Sequence, residues 1–177
     1  MKGNWTVVEA MRYARHDWMN QLQLLKGNIT LQKWERVQAI MDDLIVQAQQ
    51  DSRLTNLGKP QFAETLLTFN WENHSFQIEW EILEEGYTLD IEDEYLVKSF
   101  NEWFSFINEN AKPYEDNRLF IRLQKDETTY VFSLEYMGEW KVDLTKWLND
   151  WCLHSPITHS AKLIQQDQEQ FLVHWYV

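Results

Sequence analysis

Apolar residues recur at helical spacing in two stretches near the start of the chain. The first stretch predicts a helix from about Thr6 to Lys26, and Arg15 falls within its apolar stripe. The second predicts a helix from about Leu31 to Leu54. The stripes consist of Val8, Met11, Trp18, Leu22 and Leu25 in the first helix and Trp34, Val37, Met41, Leu44 and Ala48 in the second. Both stripes have the spacing of helices that pack in a bundle.

The residues between these helices predict a tight connection. Gly27 suits the left-handed position just beyond a helix end, and Asn28 or Thr30 can cap the next helix. A connection this short makes the two helices antiparallel neighbours in a helical hairpin. Because two helices alone bury little apolar surface, we predict that hairpins from two chains form a four-helix bundle in a homodimer.

The pattern changes after the segment Thr55–Pro60, which contains a glycine and one of the three prolines of the chain. We therefore predict a helical dimerisation domain at 1–57 and an α/β domain at 58–177. The remaining apolar patterns predict helices at about 61–70, 91–110 and 144–153, strands at about 76–82, 119–123, 130–136 and 171–175, and a turn at 125–128. Together they predict an α+β fold with helices on one face of a mixed sheet.

Composition narrows the class of protein. The net charge of -12 disfavours a nucleic-acid partner and an anionic membrane surface. Hydrophobic residues make up 44% of the chain, which is enough for a packed core. The single cysteine, Cys152, permits no intramolecular disulfide and fits a reducing compartment. Neither a signal peptide nor a membrane-spanning stretch is evident, so we expect a cytoplasmic protein.

His16 is the candidate for chemistry. It lies roughly 130° around the first helix from the centre of the apolar stripe. Arg15 and Asp17 flank it, and Arg12 and Asn20 lie one turn before and after it. Imidazole titrates close to neutral pH and can act there as a neutral nucleophile. From spacing alone, two interpretations of His16 stay open: it is an ordinary exposed histidine, or it is a histidine that carries a phosphoryl group.

The surrounding motif is more specific than the histidine itself. The run RHDWMNQLQLLKGN at 15–28, continuing through ITLQKWERV to LTFNW at 67–71, resembles the sporulation initiation phosphotransferase B family. The Arg-His-Asp core is also similar to the histidine box of some sensor kinases. The resemblance is strong over the first 70 residues or so, and the remainder matches by pattern.

This resemblance implies a cytoplasmic dimer with a four-helix bundle built from two hairpins. It also implies a relay of phosphate between response regulators, from a single-domain donor to a DNA-binding acceptor that controls entry into sporulation. His16 matches the phosphorylated histidine of the family. Residues 1–57 would then serve both dimerisation and phosphotransfer.

The neighbours of His16 have candidate supporting roles. Asp17 would orient the ring or the docked partner, and Asn20 would hydrogen-bond the phosphohistidine or the partner. Arg15 would dock an acidic partner or steady the transferred phosphate, and Arg12 could do either. Arg15 also lies near the bundle seam, where it could instead pair with an acidic residue of the second helix. We expect phosphorylation at Nε2, because Nδ1 lies close to the helix backbone.

The order of hairpin and α/β domain also resembles a histidine kinase. Asn108-Glu109-Asn110-Ala111 is a faint echo of the asparagine box in kinase ATP domains. A phosphate cradle needs clustered glycines, whereas Gly86 and Gly138 are isolated. We therefore predict a degenerate kinase-like domain without an ATP site or a cofactor of its own, and expect Mg²⁺ to reside on the partner regulator.

Other titratable clusters give weaker signals. Cys152, His154 and His159 lie close together, but no fourth ligand is apparent, and we predict no metal site. His74 and His174 are interpreted as ordinary surface or strand residues. Two alternatives to the relay stay open: a non-catalytic kinase-like module that sequesters a regulator or a kinase, and a truncated sensor kinase that would need ATP.

Overall fold

The computed structural model describes residues 5–84, 86, 88–113, 115–126 and 129–177. The chain divides into two compact units, Met1–Ser52 and Arg53–Val177. Its helices and strands are, in order, α1 Val7–Thr30, α2 Trp34–Thr55, α3 Pro60–Phe69, β1 Gln77–Ile82, α4 Asp93–Asn110, β2 Arg118–Asp126, β3 Thr129–Met137, α5 Leu144–His154, β4 Ser160–Gln166 and β5 Gln170–Tyr176. The predicted α+β fold class is confirmed.

The start of α1 is set by a capping box. The Thr6 hydroxyl accepts a hydrogen bond from the Glu9 N–H at 3.2 Å, and the Glu9 carboxylate accepts one from the Thr6 N–H at 3.0 Å. These reciprocal bonds satisfy two backbone donors that a helix start otherwise leaves unpaired. The first helix therefore begins where the sequence predicts.

The end of α1 differs from the prediction. The helix continues through Gly27 to Thr30, and the left-handed residue beyond it is Gln32, with φ 53°. The Leu31 N–H still reaches the Gly27 carbonyl at 3.1 Å, as in a helical turn. Placing the helix end at Gly27 was wrong, because a glycine is also tolerated inside a helix at a modest cost.

The proposed caps of the second helix were wrong for a related reason. The Asn28 amide donates to the Leu24 carbonyl at 2.8 Å, and the Thr30 hydroxyl donates to the Lys26 carbonyl at 2.9 Å. Both side chains thus bind back onto the last turns of α1, and neither caps α2. Because α1 extends to Thr30, both residues lie inside it and not at the start of α2, where a cap must lie.

The unit Arg53–Val177 is built on a five-stranded mixed sheet in the order β1-β2-β3-β5-β4. β1 and β2 are parallel, and the other neighbouring strands are antiparallel. The predicted turn at 125–128 includes residues 127 and 128, which lie outside the described residues.

One face of this sheet carries the helices. Phe132 and Trp175 are register partners on β3 and β5, so they share that face. Phe62 of α3 contacts Phe132, Phe100 of α4 contacts both aromatic rings, and Trp151 of α5 contacts Trp175. These aromatic contacts therefore join α3, α4 and α5 to a single sheet face.

The sequence prediction missed β4, which lies at an edge of the sheet. Its side chains are half-buried or exposed, and its pairing with β5 shifts register between Leu163 and Gln165. An edge strand with a bulge shows only a short alternation of apolar and polar residues. At the opposite edge, β1, the Asn70 side chain bonds both the N–H and the carbonyl of Ile78.

Among the described residues, no helix combines the length and apolar character that a membrane crossing requires.

Candidate phosphotransfer site

His16 lies in the middle of α1 with its side chain 71% exposed. Its Nδ1 atom is 3.3 Å from Asp17 Oδ1 and 3.3 Å from Asn20 Nδ2. Asn20 follows His16 by one helical turn, which brings the two side chains together on the same face. The helix therefore places a carboxylate and an amide on one edge of the imidazole ring.

The two neighbours of Nδ1 favour different tautomers. Asp17 is an acceptor and needs a proton on Nδ1, whereas the Asn20 NH₂ group is a donor and needs the Nδ1 lone pair. With the proton on Nδ1, the lone pair is on Nε2. Flipping the Asn20 side-chain amide exchanges its NH₂ group and its oxygen, and the oxygen would then accept from the same Nδ1 proton. Asp17 thus stabilises the tautomer in which Nε2 is the nucleophile.

The far edge of the ring is accessible. Nε2 of His16 makes no hydrogen bond to any of the described residues. α1 itself has no buried residue, so the imidazole extends from an open helix face. A reactant that approaches the ring from this edge would meet Nε2 first.

Arg12 and Arg15 are exposed near this site. Neither forms a salt bridge within the described part of the chain, so the pairing of Arg15 with an acidic residue of the second helix does not occur there. The structure therefore brings Asp17 and Asn20 to the ring, and leaves two cations beside it without a direct ring contact. Both arginines are available to an anionic partner.

The asparagines of the segment 108–111, which weakly resembles the asparagine box of kinase ATP domains, have structural roles in the described part of the chain. Asn108 Oδ1 accepts from the Ser75 N–H at 2.8 Å, and its Nδ2 lies 3.0 Å from His74 Nδ1. The Asn110 amide donates to the Phe106 carbonyl at 2.7 Å. These amides tie α4 to the loop before β1 and to its own last turns.

His74 is not an ordinary surface residue. Its ring stacks on Phe69 with centroids 3.8 Å apart, and its side chain is only 11% exposed. Burial lowers the pKa of His74, and the nearby Glu72 carboxylate acts in the opposite direction. The interpretation from sequence was wrong here because nothing in the local pattern predicts the stacking against α3. His174 lies on β5, as the alternative strand interpretation requires.

In the cluster at 152–159, the side chains of Cys152 and His154 also make contacts within the protein. The Ala161 N–H bonds Cys152, and burial raises the pKa of this thiol. His154 Nδ1 lies 2.7 Å from the Asp150 carbonyl. In the described ranges, no group of three or more His, Cys, Asp and Glu side chains is arranged to hold a metal ion.

Comparison with known proteins places the chain in a family. A family model described as "Sporulation initiation phospho-transferase B, C-terminal" matches residues 58–174, and one described as "Sensor_kinase_SpoOB-type, alpha-helical domain" matches residues 2–57. The chain belongs to the sporulation initiation phosphotransferase B family. The resemblance of the His16 motif to this family is thereby confirmed.

A curated relative and two solved structures can be compared with this family member. The sporulation initiation phosphotransferase B of Bacillus subtilis (strain 168) is 37% identical over 134 residues, which is 75% of this chain and 70% of that protein. The Acinetobacter baumannii histidine kinase AdeS gives a TM-score of 0.49 at 6% identity, over 92% of this chain and 96% of that one. A histidine kinase from Burkholderia phymatum STM815 gives 0.45 at 10% identity, over 98% of each chain. The family assignment rests on the sequence matches.

Proposed function

We propose that His16 receives a phosphoryl group from a phospho-aspartyl response regulator and passes it to an aspartate of a second regulator in the control of sporulation. The observation that carries this proposal is the ring geometry: Nδ1 lies 3.3 Å from Asp17, while Nε2 is open on an exposed helix face. Membership of a phosphotransferase family supports the reaction class. A single-domain donor and a DNA-binding acceptor are the partners that the family resemblance implies.

The transfer needs no other reactant. The Nε2 lone pair attacks phosphorus, the N–P bond forms, and the P–O bond to the donor aspartate breaks to leave its carboxylate. The imidazole then carries positive charge and keeps its proton on Nδ1, where Asp17 stabilises it. In the second half-reaction the acceptor carboxylate attacks phosphorus, and Nε2 recovers its lone pair. Each half-reaction exchanges one phosphorus bond for another, so no nucleotide is consumed.

The chain's own contribution is alignment and charge. Phosphoryl transfer depends chiefly on in-line positioning and on stabilising the charge of the transferred group. Asp17 and Asn20 hold the ring, while Arg12 and Arg15 supply positive charge to a docking regulator. We propose that this protein uses no cofactor of its own, and that Mg²⁺ is bound in the acidic pocket of the regulator.

We further propose that two chains form a homodimer through the hairpin. Six stripe residues are each at least 50% exposed, namely Val8, Met11, Trp18, Leu22, Trp34 and Met41. An apolar surface of this extent is typical of a face that another chain covers. A four-helix bundle would bury both stripes and leave His16 outside, since it lies about 130° from the first stripe. The lone, partly buried Cys152 is compatible with the cytoplasmic location we propose.

The test is a transfer assay without ATP. The purified chain is mixed with a labelled phospho-aspartyl regulator, and the expected result is acid-labile, alkali-stable label on the chain. His16→Gln should remove the label and keep the fold, because the side chain is exposed. His159→Gln is the matched control, since His159 is also exposed, and it should accept label as the wild type does.

The rival functions make different predictions in the same assay. A binding module would form a complex with the regulator but take no label, and His16→Gln would bind as well as the wild type. A truncated kinase would take no label from the regulator, and in a parallel reaction it would acquire label from labelled ATP. Either result would refute the proposed relay.

A further inference from the structure

A groove with a volume of about 1060 Å³ runs between α4 and α5 in the unit Arg53–Val177. We call it the α4–α5 groove and define it by three aromatic residues, Phe106, Trp147 and Trp151, and four acidic residues, Glu94, Glu102, Glu109 and Asp150. None of these residues takes part in the proposed phosphoryl transfer.

The floor of the groove is a row of aromatic rings. Phe106 and Trp147 stack with centroids 4.1 Å apart, and Trp147 and Trp151 lie nearly parallel with centroids 5.9 Å apart. Phe106 and Trp147 are half-buried, so part of each ring faces the groove. Trp147 also packs edge-on against buried Trp103, which fixes its position. The floor is therefore a preformed apolar platform.

The charge of the groove is strongly negative. Four carboxylates line it, with Lys98 as the one lysine or arginine among the described lining residues. None of the four carboxylates forms a salt bridge to any residue that the structure describes. Glu102 is held at the floor because its Oε2 accepts from Trp151 Nε1 at 2.8 Å. Such a surface attracts a cation and repels a phosphate group.

The spacing of the acidic residues indicates the shape of the occupant. Glu94, Glu102 and Glu109 are separated by eight and seven residues along α4. At a rise of about 1.5 Å per residue, they lie about 12 and about 10 Å apart along the helix. Basic residues seven or eight apart on a second helix have the same spacing and fall near one face. The groove thus matches a rod about four turns long.

We propose that the α4–α5 groove docks a basic amphipathic helix of a partner protein. The apolar face of that helix covers the aromatic floor, and its lysine or arginine residues reach the carboxylates, as in other helix-in-groove complexes. A small polyamine would meet the carboxylates but leave the aromatic floor uncovered. This docking surface goes beyond the phosphoryl relay and does not depend on His16.

The probe is a synthetic 18-residue helical peptide with lysine at positions 1, 9 and 16, leucine at positions 5 and 12, and alanine and glutamine elsewhere. Its affinity for the full chain is measured by calorimetry at two salt concentrations. We expect saturable 1:1 binding that weakens at high salt. Glu94→Gln/Glu109→Gln should weaken it about tenfold, the loss expected for two exposed ion pairs.

Two further variants separate the groove from general charge. Asp43→Asn/Glu64→Gln removes the same charge from exposed positions outside the groove and should bind as the wild type does. Ser105→Arg places a cation and bulk on an exposed groove position and should abolish binding, while His16 still accepts phosphate. Unaltered far-UV circular dichroism shows that each variant is folded.

Any of the following results would overturn the proposal: no saturable binding at low salt, equal weakening by both double variants, unchanged binding to Ser105→Arg, or equal affinity for a peptide of the same composition with its lysines scattered around the helix. Tighter binding of spermine than of the peptide would also overturn it, since the site would then serve small cations. Transfer to His16 is scored separately in each variant, so failure of the docking surface is distinguishable from failure of the relay.

Discussion

Asp17 Oδ1 lies 3.3 Å from Nδ1 of His16, on the ring edge opposite the nitrogen that we propose is phosphorylated. Asp17→Asn keeps a side chain of the same shape but removes the negative charge that favours a proton on Nδ1. We expect transfer to slow about tenfold, or about 1.4 kcal/mol in the barrier, the effect of one exposed charge-assisted hydrogen bond. Single-turnover rates with a saturating phospho-regulator measure this change.

The control for Asp17→Asn is Arg12→Gln. Arg12 has no contact with the ring, so its loss should raise the regulator concentration needed for half-maximal rate and leave the saturated rate unchanged. The effect of Arg12→Gln should also shrink at high salt, because exposed charges are screened. If Asp17→Asn transferred at the wild-type rate once saturated, the carboxylate would serve docking and not the ring.

His74 makes the stability of the unit Arg53–Val177 depend on pH. Burial lowers the pKa of His74 below its ordinary value of 6.5. The unfolded chain therefore binds this proton first as pH falls, so stability present above pH 6.5 should decline below it. The structure gives a second reason, since Nδ1 faces the Asn108 NH₂ group at 3.0 Å and a proton there would oppose the contact.

The measurement for His74 is the urea midpoint of the wild type and of His74→Gln between pH 7.5 and 5. The wild type should lose stability more steeply with falling pH than the variant does. His154→Gln is the control, because His154 is exposed at the end of α5, and it should follow the wild type. Parallel pH profiles for the wild type and His74→Gln would contradict the prediction.

Gly27 offers a stabilising substitution. It lies inside α1, and a Cβ atom added there meets nothing within 4 Å among the described residues. Alanine should therefore stabilise the helix by about 0.5–1 kcal/mol, because glycine loses more backbone freedom on folding. Denaturation followed by helical circular dichroism measures the gain. A loss of stability would show that another chain packs closely against Gly27.

Gly138 supplies the contrast for Gly27. Its φ is 147°, and an added Cβ would lie 2.2 Å from Asn117 Oδ1 and 2.9 Å from the Tyr136 hydroxyl oxygen. Gly138→Ala should destabilise the sheet unit, since real Cβ atoms do not approach other atoms so closely. Gly138 is one of the two isolated glycines that do not form a phosphate cradle. Close packing explains why a glycine occupies this position.

Periodicity predicted the elements whose burial is regular. The alternation of Leu119, Ile121 and Leu123 predicts β2 because each of these side chains is buried while its neighbours are not. β4 was not predicted, because it pairs with a neighbouring strand on one side only and a bulge near Ile164 interrupts its alternation of apolar and polar residues. A pattern of hydrophobicity reports burial, and an edge strand with little burial leaves a faint pattern.

In the candidate site, too, some features could be predicted from the sequence and others could not. The position of His16 opposite an apolar stripe follows from helical geometry, and so does the approach of Asn20 one turn later. The stacking of His74 on Phe69 could not be predicted, because it depends on how α3 packs against a loop. Likewise, only the structure shows that Asn108 is bonded to that loop and that α4 and α5 enclose an acidic groove.

Asn70, within the LTFNW segment, protects the open edge of β1. Its Nδ2 donates to the Ile78 carbonyl at 2.8 Å and its Oδ1 accepts from the Ile78 N–H at 2.9 Å, so one amide occupies both backbone groups that Ile78 would offer to another strand. Asn70→Ala should cost about 1–2 kcal/mol of stability for the two bonds. It should also promote association, because an unpaired strand edge is a template for further strands. Asn70→Asp keeps an acceptor for the Ile78 N–H but loses the donor, so its stability should fall between those of the wild type and the alanine variant. Urea denaturation and light scattering during storage measure the two effects. A fully monodisperse Asn70→Ala with the wild-type midpoint would show that Asn70 contributes nothing to this edge.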